Sequence, residues 1–170
     1  MSNEKIITYA IIIYMIKAII SDLSRVILFS KDKNYTGSLN SFHSEKLKDG
    51  DYNFWEYFEL NGQLVKQYQE LSKKCNLYIF TTQYIQEYPP IKTKLEKFIK
   101  KVFIANDIGF KKDQPEAFQY ILDELQLQPE EIIYIDDLER NIIAAKSLSI
   151  KTIHYKDVQA TIEAIAQYNI

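Results

Sequence analysis

Four polar clusters in this chain stand at or just beyond the ends of short apolar runs. Ser21-Asp22-Leu23-Ser24 follows Ala18-Ile19-Ile20, and Thr81-Thr82-Gln83 follows Leu77-Tyr78-Ile79-Phe80. Gly109-Phe110-Lys111-Lys112 comes a few residues after Val102-Phe103-Ile104-Ala105, and Asp136-Asp137 follows Ile132-Ile133-Tyr134-Ile135. Each cluster alone has an ordinary explanation. An Asp after a strand is usually a turn or cap residue. A single Lys is usually solvated, and an acidic pair before a helix complements its dipole. Together they supply a carboxylate, a hydroxyl, an ammonium and a carboxylate pair, which is the set that phosphoryl transfer uses. A carboxylate can attack phosphorus and form an aspartyl-phosphate. Mg²⁺ takes oxygen ligands from carboxylates and backbone carbonyls. A hydroxyl and an ammonium neutralise charge on the transferring oxygens.

These groups can cooperate only if the fold gathers them. The apolar runs, with Thr152-Ile153 as a fifth, are apolar on both faces and predict buried parallel strands. Between them, Leu64, Val65, Tyr68 and Leu71 keep helical spacing, as do Ile91, Leu95, Phe98 and Ile99, and Phe118, Ile121, Leu122 and Leu125. Ile142, Ala145 and Leu148 continue another helix, and Val158, Ile162 and Ile165 a last one. Pro115 marks a helix start, where Asp113 and Glu116 are spaced for a capping box. The alternation predicts an α/β fold, a Rossmann-like three-layer core with about five parallel strands. In such sheets ligands bind beyond the carboxyl ends of the strands, where all four polar clusters fall.

Composition narrows the function classes. The chain has 170 residues, 21 Lys plus Arg and 23 Asp plus Glu, for a net charge of −2. That balance argues against a nucleic-acid binder, which carries a basic excess. Only Arg25 and Arg140 are arginines, a bias that reads as coding preference. One cysteine, Cys75, excludes an intrachain disulfide and a cysteine-cluster zinc site. Two histidines, His43 and His154, leave little for a histidine metal centre. A reducing, cytoplasmic setting is the simplest expectation. The apolar run over residues 6–16 falls short of the ~20 residues of a membrane span. Met15-Ile16-Lys17 looks like a natural start, so residues 1–14 are expected to be an extension of a single domain over residues 15–170. Residues 29–60 break the alternation and form a short, cap-like insertion. Its Phe54-Trp55-Glu56-Tyr57-Phe58 cluster is expected to pack against the domain.

The order of the acidic groups, lone Asp first and pair last, resembles the haloacid-dehalogenase-like (HAD) hydrolase superfamily. Phospho-receiver domains use the opposite order. Residues 15–24 look like the superfamily's first motif, which implies Asp22 as nucleophile. Phe80-Thr81-Thr82 looks like the second, with Thr81 and Thr82 on the phosphate. Lys112-Asp113-Gln114-Pro115-Glu116-Ala117-Phe118 looks like the third, with Lys112 as its lysine. Ile135-Asp136-Asp137 through Asn141 to Ala145 matches the fourth most closely. The wording is similar to the subgroup with epoxide-hydrolase-type phosphatase domains and sugar-phosphate phosphatases. The resemblance implies a Mg²⁺-dependent phosphate-monoester hydrolase acting on a phosphorylated small molecule or a larger phosphorylated substrate. It implies a metal site made by Asp22, Asp137 and the Ser24 carbonyl, with Asp136 included in it. Asp136 would orient Lys112 or a metal-bound water, and Asn141 would support the loop.

One motif position departs from the pattern. Phosphatases of the superfamily carry Asp two residues after the nucleophile as general acid and base, and this chain has Ser24 there, followed by Arg25. Losing such a group removes roughly 10²–10⁴-fold in rate. Three outcomes follow: a slow phosphatase, a persistent aspartyl-phosphate, or a catalytically silent binding or regulatory module. The slow phosphatase is the leading expectation.

Overall fold

A computed structural model describes residues 15–170, and the expected extension over residues 1–14 lies outside the described residues. The five apolar runs form one parallel sheet. β1 (Ala18–Ser21) is central, with β4 (Asn76–Thr81) and β5 (Lys101–Ile104) on one side and β6 (Ile132–Asp136) and β7 (Lys151–His154) on the other. The register sets Ser21 opposite Ile79 and Ile135, so the carboxyl ends of β1, β4 and β6 reach one edge together. The order reverses around β1, which opens a crevice at that edge.

Alternation along each strand divides the apolar side chains between two cores. Ile19, Leu77, Ile79, Ile133 and Ile135 face one side, packed by α3 (Gly62–Leu71), α4 (Pro89–Leu95) and α8 (Val158–Ile165). Ile20, Tyr78, Phe80, Ile132 and Tyr134 face the other, under α6 (Pro115–Leu125) and α7 (Glu139–Ser147). The result is helix, sheet, helix in three layers, as the strand and helix periods require. A short α5 (Ala105–Ile108) follows β5 and ends at Gly109, whose φ of 79° is a left-handed conformation suited to glycine.

The chain between β1 and α3 holds β2 (Leu28–Ser30) and β3 (Phe58–Leu60), paired antiparallel with Leu28 opposite Leu60. Between those two strands run α1 (Leu39–Lys46) and α2 (Phe54–Tyr57). Its aromatics pack inward, as expected. Phe54 stacks on Phe58 at 4.7 Å, Tyr35 on Phe42 at 4.6 Å, and His43 meets Tyr88 edge-on at 4.8 Å. Leu39, Phe54 and Phe58 belong to the first core.

Two local expectations fail. Asp113 and Glu116 form no capping box: α6 starts at Pro115 with Gln114 at its cap and no side-chain bond to the helix. Gln114 instead accepts the Lys111 N–H at 2.7 Å, and Asp113 turns toward Arg140. α4 also ends at Leu95, because Phe98 and Ile99 are drawn into a turn on the Leu95 carbonyl. Both remain buried, so burial rather than helix accounts for their spacing.

Candidate active site

The centre of the crevice is a buried ionic cluster. Asp22 lies just past β1, and its N–H donates to the Ile135 carbonyl at 2.7 Å, tying this residue to β6. Its own carbonyl accepts the Ser21 hydroxyl at 2.8 Å, and Tyr68 from α3 donates to that hydroxyl oxygen at 3.0 Å. The backbone at Asp22 is thus held by the neighbouring strand β6 and, through Ser21, by Tyr68 of α3. Lys112 reaches in from the loop before α6. Its Nζ lies 2.7 Å from Asp22 Oδ1 and 2.8 Å from Asp136 Oδ2. The same ammonium sits 5.5 Å from the Phe80 ring centroid.

Asp136 is wholly buried and surrounded by donors. Besides Lys112 it accepts from the Tyr134 hydroxyl, from the Leu138 N–H at 2.8 Å, and from Asn141 Nδ2 at 3.0 Å to each oxygen. Asp137 differs. Its backbone carbonyl is 2.9 Å from His154 Nε2, and among the described residues no cation lies within ion-pair distance of its carboxylate. One carboxylate oxygen from each of Asp22, Asp136 and Asp137 falls within 4.8 Å of the others.

The electrostatics follow from this crowding. Burial pushes the Asp22 carboxyl up to about 7, against the pull of Lys112 and with the repulsion of Asp136 added. Burial and then Asp136 also raise Asp137. Burial works against the Lys112 charge, yet Asp22 and Asp136 together hold it above its ordinary value. Three carboxylates and one ammonium leave an excess of negative charge that a hard cation would neutralise. The all-oxygen donor set suits Mg²⁺ rather than a softer metal. Asp136 is already committed to its donors, so Asp22 and Asp137 are the carboxylates that fit the role.

A cleft of about 650 Å³ opens over the cluster. Asp22, Ser24, Thr81, Thr82, Lys112, Asp137 and Asn141 all line it, so the fold brings together every expected residue except Asp136, which lies beneath and braces them. Thr81 is buried at the end of β4, whereas Thr82 is exposed. Ser38, Leu39 and Asn40 bring the start of α1 into the wall, so the insertion contributes to the cleft as well as to the core. Tyr134, Tyr68, Arg25 and Arg140 were not among the expected site residues. Tyr134 was findable, since it precedes Asp136 by two and a strand returns to the same face at that spacing. Tyr68 bears no such signal, because only the packing of α3 on the sheet brings it to Ser21.

With this geometry in view, comparison with known proteins places the chain. The model of the haloacid dehalogenase-like hydrolase family matches residues 63–155, more than half the chain. The chain belongs to that family. The matched range includes Thr81, Lys112, Asp136 and Asp137 and stops short of Asp22. Solved structures share the HAD fold at low identity. A HAD-superfamily hydrolase of subfamily IA from Geobacter sulfurreducens aligns with a TM-score of 0.66 at 14% identity, over 89% of this chain and 96% of that one. A predicted HAD-like hydrolase from Porphyromonas gingivalis gives 0.63 at 18%, over 90% and 97%. A HAD family enzyme from Bacteroides thetaiotaomicron, solved in complex with magnesium and inorganic phosphate, gives 0.62 at 16%, over 83% and 94%. No helix among the described residues is long and apolar enough to cross a membrane.

Proposed function

We propose that this HAD-family chain hydrolyses phosphate monoesters with Mg²⁺, slowly, through an aspartyl-phosphate on Asp22. The observation that carries the reading is the convergence of Asp22, Lys112 and Asp137 at the floor of one cleft, with Asp22 and Lys112 at 2.7 Å. The Bacteroides neighbour's complex with magnesium and phosphate supports the choice of ligand class.

Asp22, Asp137 and the Ser24 carbonyl would hold the metal. Bound there, Mg²⁺ supplies positive charge to the phosphoryl oxygens and lowers the repulsion between two anions. Lys112 and Thr81 bind the phosphoryl group, and Thr82 adds a hydroxyl at the rim. An Asp22 carboxylate oxygen forms the bond to phosphorus as the ester P–O bond breaks and the alcohol oxygen departs with the electron pair. Water then attacks phosphorus, the bond to Asp22 breaks, and the carboxylate is restored with release of inorganic phosphate. Asp136 does not touch the phosphate. It fixes the Lys112 ammonium, and Asn141 and Tyr134 fix Asp136.

The leaving oxygen and the attacking water both need proton transfer. Ser24 is a poor donor and a poor base because its hydroxyl titrates far above neutrality. Of the carboxylates lining the cleft, Asp22 and Asp137 are assigned to phosphorus and metal, and Asp113 lies toward Arg140. Solvent must carry the protons, which is why the reaction is slow.

The test is phosphate release from a panel of monoesters with Mg²⁺, for the wild type and for Asp22→Asn. Release from the wild type and none from the variant is expected. Equal release from both would remove Asp22 from the reaction. No release, together with no Mg²⁺-dependent thermal shift on adding beryllium fluoride, would leave the silent binding module.

A further inference from the structure

Both arginines of the chain, Arg25 and Arg140, line the cleft, although lysine supplies the other 19 of its 21 basic residues. Each occupies a locally unfavourable position. Arg25 has a φ of 62°, a left-handed conformation that L side chains avoid. Its backbone is locked there by its N–H bond to the Leu28 carbonyl at 2.7 Å. Its guanidinium is tethered at 2.7 Å to the carbonyl of Gly37. Arg140 stands in the first turn of α7, where the positive end of the helix dipole disfavours a cation. The one ion pair it makes among the described residues is a loose contact with Asp113 at 3.8 Å, and its own side chain is largely exposed. Backbone strain and a charge at the wrong end of a helix, both at one cleft, point to a use for these charges.

The charges around the cleft support one use. Lys112, paired with Asp22 and Asp136, is assigned to the phosphoryl group, and Asp137 is positioned for a metal. Among the described residues Arg25 and Lys111 enter no ion pair, and Arg140 makes only the loose one. A phosphoryl group held over Asp22 would leave these three cations unmatched at the cleft wall. Arg25 follows Asp22 by three residues and Arg140 follows Asp137 by three, so each arginine enters the wall of the cleft close behind a carboxylate that lines it.

We propose that Arg25 and Arg140 form a second anion subsite, so that the ligand carries a carboxylate or a second phosphate besides its phosphomonoester. This deepens the hydrolase reading and takes its orientation from it. A guanidinium presents paired N–H donors that match either oxyanion, so the two sources share one chemistry.

Binding to Asp22→Asn with saturating Mg²⁺ tests the subsite without turnover. The probes are matched: glycerol 3-phosphate against 3-phosphoglycerate for the carboxylate, and fructose 6-phosphate against fructose 1,6-bisphosphate for the phosphate. At least one doubly anionic probe is expected to bind roughly tenfold more tightly than its partner. Adding Arg140→Gln, an exposed change that leaves the core intact, should bring that ratio close to one. Arg25→Lys, which keeps charge but loses the fork, should reduce it partly. No preference in Asp22→Asn, or a preference that survives Arg140→Gln and Arg25→Gln together, overturns the subsite. Phosphate release by the wild type is read separately. A preference that disappears with the arginines while no probe is hydrolysed supports the subsite and overturns the hydrolase reading.

Discussion

Each of the three acidic residues at the cleft floor does something different because its partners differ. Asp136 has every oxygen matched by a donor, so it acts as a brace. Asp137 has no cationic partner among the described residues and faces the cleft. Asp22 shares Lys112 and meets two other carboxylates, which suits a nucleophile that a metal would hold ionised. In the proposed reaction the residue that limits the chemistry is Ser24. Ser24→Asp is expected to raise the rate of phosphate release by roughly 10²-fold. Steady-state kinetics on the best monoester checks this. No gain would show that a step other than proton transfer limits turnover. Tyr134 adds to the same logic: burial and Asp136 hold its hydroxyl far above its ordinary titration range, so it stays a donor to Asp136.

The insertion between β1 and α3 is the element where the sequence pattern is weakest and the packing most informative. It lacks long periodic runs, yet Phe54 and Phe58 are fully buried and join the core under the sheet. His43 is held there too, with Nδ1 2.7 Å from the Tyr52 hydroxyl, and burial lowers its titration below the usual value. The Arg25–Gly37 bond anchors the start of the insertion to its own loop, where a Cβ on Gly37 would come within 2.5 Å of the Tyr35 hydroxyl. The insertion thus shares the apolar core on one side of the sheet. Phe54→Ala should cost about 3–5 kcal/mol, the range for deleting a buried aromatic. Urea denaturation measures it. A cost below about 1 kcal/mol would mean that the segment packs only as a surface cover.

On the scale of the whole molecule, the sheet edge concentrates negative charge that folding alone does not neutralise. Asp22 holds its proton more tightly folded, at about 7, than at its ordinary value of 3.8. The stability this contributes is fully present below about pH 4 and is lost as pH rises through about 7. In EDTA, wild-type stability should therefore fall relative to Asp22→Asn between pH 5 and pH 8, by about 1–3 kcal/mol. Mg²⁺ should reverse the fall for the wild type, because a ligand that binds only the folded state stabilises it by mass action. Urea midpoints at the two pH values, with and without Mg²⁺, give the comparison. A pH-independent difference between the two proteins would contradict the charge crowding.

Much of this protein was legible in its sequence because the signals are local. Apolar runs of two to four residues alternating with helix-period segments read as buried parallel strands and the helices between them, so the layered α/β core followed. Asp22, Thr81, Lys112 and the Asp136-Asp137 pair were legible because strand ends in a parallel sheet share one edge. The capping box failed because Gln114 takes the Lys111 N–H three residues back and Asp113 turns to Arg140 of a different helix. Contacts between distant segments belong to the tertiary structure alone. Packing decided that Asp136 braces while Asp137 faces the cleft, since that depends on where Tyr134, Asn141 and Lys112 meet. It also brought Tyr68 from α3 to Ser21, folded the insertion's aromatics into the core, and set two arginines 115 positions apart on the wall of one cleft. Sequence spacing encodes period and turn, but a cleft is made by side chains whose separation along the chain has no bearing on their separation in space.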